Sequence, residues 1–106
     1  MICYQSDICT DRFIVSVDGH AGYAPAGEDI ICAAASALAL TLIEASHRFD
    51  EDGALSHFSY SIDKGSVQLD MTVKDWAMER VEAVVDAVTG GFLMLEEHYP
   101  EYITVN

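Results

Sequence analysis

Two stretches of mixed hydrophobic and polar residues near the start of the chain, Met1–Cys9 and Arg12–Asp18, read as β-strands, the alternation being clearer in the second. In the second, Phe13, Val15 and Val17 alternate with Ile14 and Ser16, which predicts a mostly buried β-strand. Thr10-Asp11 between the two is a short polar connection compatible with a hairpin, although it lacks an Asn-Gly signal. The alternation then stops. Gly19 to Gly27 holds three of the seven glycines, Pro25 and the alanines at 21, 24 and 26, so no regular element is expected there.

From Glu28 to His47 the chain turns almost continuously apolar. Between Ile30 and Ile43 only Ser36 and Thr41 are polar, which predicts a long helix buried nearly all round at the centre of the core. Acidic residues open it and His47-Arg48 close it, matching the helix dipole. Phe49–Ser56 reads as an acidic loop. Strands are expected at His57–Asp63 and Ser66–Val73, joined by a Lys64-Gly65 turn. Asp75 is a plausible N-cap for a second helix from Trp76, with Val81, Val84, Val85 and Val88 on one face. Apolar residues continue past Gly90-Gly91 to His98. Each glycine costs about 1 kcal/mol against alanine in a helix, so close packing or a bend is expected there. Pro100 ends the helix, and Tyr102–Val105 forms a last strand.

The resulting order, β-β-α-β-β-α-β, predicts an α+β fold: one mainly antiparallel sheet with two long helices packed on it. With 106 residues and no repeats or linkers, residues 1–106 form a single domain.

Charge narrows the choice of partner. Five Lys and Arg against eighteen Asp and Glu leave a net charge of −13. Such a surface repels phosphate backbones and anionic lipid, which argues against direct nucleic-acid or membrane contact and favours a basic peptide or protein. Acidity serving solubility alone is the other reading. No apolar run reaches the ~20 residues of a membrane span. Met1–Asp7 also lacks the basic-then-apolar pattern of a signal peptide. The odd cysteine set, Cys3, Cys9 and Cys32, does not close a disulfide framework, so a reduced, cytoplasmic protein is expected.

Two residues carry candidate chemistry. His20 lies in the small-residue loop, and Cys32 follows near the start of the apolar helix. They are a thiol nucleophile and a base to take its proton. A thiol ionises more readily at a helix N-terminus or beside an imidazolium; Cys32, about one turn into the predicted helix, gains only part of the first effect. Asp29 shares its helical face, and could orient His20 as the third member of a triad or cap the helix. Ser36, four residues on, either hydrogen-bonds within the site or returns to its own backbone. Gly19, Gly22, Tyr23 and Gly27 would form a mobile loop, with Tyr23 as cover or substrate contact. Cys32 as a small buried residue and His20 as a solvated one are the plain alternatives.

His47, His57 and His98 read as a helix-end, a strand-start and a cap-neighbour residue. No paired-cysteine spacing supports zinc, and no glycine-rich phosphate motif is present, so neither metal nor cofactor is expected.

At Gly19-His20-Ala21, at Gly27-Glu28-Asp29-Ile30-Ile31-Cys32-Ala33-Ala34, at Ser36, and along Gly91–Ile103, the chain resembles the ribosomal-processing cysteine proteases, Prp, of Gram-positive bacteria and their relatives. The resemblance runs nearly end to end. It implies a homodimeric α+β protein with a Cys-His pair, a mobile loop that orders over substrate, and removal of a short N-terminal extension from a large-subunit ribosomal protein. Cys32 would then be the nucleophile and His20 the base that later protonates the leaving amine. A non-catalytic factor that holds a ribosomal protein, or assists ribosome assembly, is the alternative from another class. A redox-sensing thiol is a third, requiring Cys3 or Cys9 beside the helix start.

Overall fold

The computed structural model describes Met1–Asn106. Its elements are β1 (Ile2–Cys9), β2 (Arg12–Asp18), α1 (Ile30–Glu51), β3 (Leu55–Asp63), β4 (Ser66–Val73), α2 (Met78–His98) and β5 (Ile103–Val105). The five strands form one sheet in the order β3-β4-β2-β1-β5. β5 runs parallel to β1, and the other neighbours are antiparallel. The α+β expectation therefore holds, with a single parallel pair at one edge.

Strand register decides which face meets the helices. Tyr4 pairs with Val17, Val17 with Val67, and Val67 with Ile62, giving one apolar row across four strands. The neighbouring row on the opposite face is Gln5, Ser16, Gln68 and Ser61, and it stays polar. Only one face of the sheet is covered, as alternation along β2 and β4 requires. Tyr4 and Phe92 of α2 centre the core, stacked with ring centroids 4.3 Å apart, and the Tyr4 hydroxyl meets Thr89 Oγ1 at 2.6 Å. The hydroxyl is thereby satisfied inside an apolar setting.

α2 runs unbroken through Gly90-Gly91. A Cβ at Gly91 would come within 2.7 Å of Leu38 Cδ2, so this glycine lets the two helices approach, whereas Gly90 faces open space. Close packing accounts for Gly91, and nothing in the structure requires a glycine at 90.

Several boundaries differ from expectation. α1 starts at Ile30 rather than Glu28 and ends at Glu51 rather than His47. Phe49 is buried under the Arg80 guanidinium, 5.1 Å from its ring centre, and this contact carries the helix into the expected acidic loop. Nor is α1 buried all round: Ile31, Ala35, Ala39, Leu42, Ile43, Ser46 and Phe49 form one buried face, while Ile30 and Leu40 are exposed. Only one layer covers the helix, and alanine tolerates either side. By length and composition α1 could cross a membrane, contrary to the expectation of no such segment, yet its buried face packs in the core like that of a soluble-protein helix. Asp75 caps nothing; Asp75–Ala77 form a 3-10 turn, and α2 begins at Met78. The last strand starts one residue late, at Ile103, because Tyr102 remains in the turn after Pro100.

Candidate active site

Cys32 stands in the first turn of α1, closer to the helix start than the sequence suggested. Asp29 is the N-cap: its Oδ1 accepts from the amides of Ile31 (3.0 Å) and Cys32 (2.9 Å). Its Oδ2 accepts from the amides of Tyr23 (3.0 Å) and Ala24 (3.5 Å). The Cys32 amide chiefly, then those of Tyr23 and Ala24, hold the Asp29 carboxyl below the usual carboxylate range against the opposing effect of desolvation. Both oxygens are occupied by backbone. Asp29 thus ties the loop to the helix start and makes no contact with the imidazole of His20.

The loop is anchored on His20's side by main-chain contacts. Gly19 N–H donates to the carbonyl of Gly65 at 2.8 Å, and the α-ammonium of Met1 donates to the carbonyl of His20 at 2.6 Å. Gly19 has φ +102°, and a Cβ there would collide with the carbonyl of Met1. Ala21 is buried, and its amide donates to Cys32 Sγ at 3.3 Å. The imidazole of His20 rests against Gly65 in the β3–β4 turn and makes no side-chain hydrogen bond.

His20 and Cys32 line the same cleft, a recess of about 180 Å³ between α1, β2 and the β3–β4 hairpin. Its lining mixes apolar Ile2, Val17, Ala35, Ile62 and Val67 with polar Asp63 and Ser66. The same two residues also border a wider, open depression of about 600 Å³, lined by the 22–27 loop, Asp29, Ala33 and Lys64. Ser36 lines both, with its hydroxyl bonded to no protein group, unlike Thr41 and Ser46, which return to their own helix. A thiol and an imidazole thus border two recesses, one mostly apolar and the other walled by the glycine-rich loop.

Tyr23 is exposed and lines neither recess. It packs edge-on against Tyr102 and Tyr99, with ring centroids 5.3 and 6.3 Å away. The loop therefore leans on the α2–β5 connection through a single aromatic side chain, Tyr23, in contact with two others. His47 packs edge-on between Phe58 and Tyr60, His57 projects from β3, and His98 closes α2 on the carbonyl of Met94; none joins the site. All three cysteines are free. Ile2 and Tyr4 face the helices, so strand alternation sends Cys3 to the opposite face, away from Cys32.

The family model of the cysteine protease Prp matches residues 3–104. The chain belongs to the cysteine protease Prp family. Its fold is that of solved Prp structures. The essential ribosomal processing protease Prp from S. aureus, with a covalently linked product peptide, superposes with a TM-score of 0.76 at 22% identity, covering 100% of this chain and 98% of that one. The same S. aureus protease with a substrate peptide gives 0.71 at 21% identity over 100% and 98%. SMU.848 from Streptococcus mutans gives 0.70 at 24% identity over 100% and 92%. No curated protein matches the chain significantly in sequence. For a Prp-family protease, the sequence pattern left two parts of the site unread. Ala21 was a small loop residue, yet its amide reaches the sulfur; Gly65 was a turn residue, yet it carries the imidazole. A glycine signals a turn without signalling what lies above it.

Proposed function

We propose that this protein is a cysteine endopeptidase that removes the N-terminal extension of a large-subunit ribosomal protein precursor. The observation that supports the reading is that Cys32 and His20 line the same recess of a cysteine-protease-family chain. His20 takes the proton of the Cys32 thiol, and the sulfur attacks the carbonyl carbon of the scissile peptide bond. The C–N bond breaks as the imidazolium returns that proton to the departing amine, leaving the extension as a thioester on Cys32. Water, deprotonated by His20, then hydrolyses the thioester and frees the extension as a carboxylate.

The developing oxyanion needs fixed donors beside the sulfur. The Cys32 amide is engaged by Asp29, so the Ala21 amide, already directed at Sγ, is the donor assigned to it. The apolar part of the recess lining receives side chains of the extension. The basic body of the precursor is drawn to a chain of net charge −13, whose sign also disfavours ribosomal RNA and anionic membranes. A homodimer in the cytoplasm completes the reading; exposed Leu93 and Met94 leave apolar surface on α2 for a second copy.

Cys32→Ser separates this from a factor that only holds the ribosomal protein. A protease keeps binding the precursor and loses cleavage. A holding factor shows equal binding and no cleavage in either protein.

A further inference from the structure

The β3–β4 turn is a structural hairpin by sequence, but its glycine touches the site. Gly65 has φ +77°, and a Cβ added there would lie 2.6 Å from His20 Nε2 and 3.0 Å from Cε1. Both atoms belong to the tip of a side chain with no hydrogen bond to hold it. A methyl group at 65 therefore moves the imidazole, not the backbone. The neighbouring amide–carbonyl bond from Gly19 to Gly65 keeps the turn and the loop in register, so the contact is fixed from the main chain up.

We propose that Gly65 is a positioning residue: its bare Cα is the seat on which the His20 imidazole rests, and the absence of a side chain sets how far that ring stands from Cys32. This rests on His20 being the base, as proposed above. The hairpin would then be part of the active site, coupling the β-sheet edge to the reactive pair. The imidazole is placed by van der Waals contact with a turn, because the carboxylate that could have oriented it, Asp29, is committed to backbone amides.

The chain contains its own control. Gly53 has the same φ of +77° with nothing within 4 Å of an added Cβ. Substitution at 53 and 65 thus meets the same backbone strain, but only position 65 meets His20. Asn tolerates left-handed φ better than Ala, so Gly65→Asn and Gly53→Asn accompany Gly65→Ala and Gly53→Ala in case the alanine variants fold poorly.

The first readout needs no substrate: the rate at which iodoacetamide alkylates Cys32, resolved from Cys3 and Cys9 by peptide mapping. The second is kcat and KM on a peptide spanning the extension junction. Gly65 variants are expected to alkylate Cys32 as slowly as His20→Ala. They should lose about 100-fold in kcat, the scale of an ångström-sized misplacement, with KM within a few-fold. Gly53 variants should match wild type on both readouts and share the Gly65 variants' loss of thermal stability. Gly65 variants that track the Gly53 variants, with His20→Ala slow, overturn the positioning role alone. His20→Ala behaving like wild type overturns the base assignment, and the positioning role with it.

Discussion

The amide of Ala21 points at Cys32 Sγ from 3.3 Å, while the imidazole one residue earlier lies against Gly65 instead of on the sulfur. In this state the main chain of the His20 loop, not its side chain, makes the hydrogen bond to Sγ. Hydrogen bonds of this kind commonly tighten only when substrate binds, so in the proposed mechanism Sγ and the ring close to bonding distance with the ring still seated on Gly65. His20→Ala is expected to lower kcat by about 10²–10⁴-fold with KM changed only a few-fold. Steady-state kinetics on the junction peptide check this; a loss confined to KM would make His20 a binding residue.

Asp29 predicts a definite pH dependence. Its folded-state carboxyl lies below the ordinary range because the amide of Cys32, and those of Tyr23 and Ala24, favour the charged form. Its contribution to stability is therefore fully present above the ordinary carboxylate value, and it is lost as pH falls through the depressed one. Asp29→Asn should melt below wild type at pH 7, with the gap narrowing below about pH 4. Melting curves across that range test it, and a gap independent of pH would contradict the charge-based role.

Adjacent glycines in α2 should respond differently to alanine. Gly90 faces open space, so Gly90→Ala is expected to stabilise by about 1 kcal/mol through helix propensity. Gly91→Ala would force Leu38 off its rotamer at about 1 kcal/mol, cancelling that gain. Urea denaturation distinguishes them. Equal gains at both positions would mean that the helices are not in close contact at Gly91.

The net charge of −13 predicts salt-sensitive encounter with a basic precursor. kcat/KM for the intact precursor should fall as ionic strength rises from low to physiological, through association rather than kcat. Processing insensitive to salt over that range would remove electrostatic steering from the picture.

The sequence made some of this legible and hid the rest for identifiable reasons. β2 and β4 have the expected bounds because alternation is unambiguous where one face is buried and the other polar. The small-residue loop was equally plain from its glycines. The start of α1 was not, since Glu28 and Asp29 are both acidic and only the bonds of Asp29 to two helix amides select the cap. One-sided burial of α1 was hidden because alanine fits a core and a surface alike. His20 and Cys32 could be picked out by residue type and spacing, but two of their neighbours could not. The Ala21 amide has no side-chain signature, and Gly65 arrives from a hairpin 45 residues beyond His20. Such contacts exist only once strand register is set.

The decisive measurement is acid-quenched mass spectrometry of the protein mixed with a peptide spanning the extension junction, in wild type and Cys32→Ala. One defined cut is expected, with a transient adduct on Cys32 equal in mass to the extension fragment less water, and neither in Cys32→Ala. Cleavage that persists in Cys32→Ala, or a folded wild type that binds the peptide and never cuts it, would contradict a thiol protease centred on Cys32.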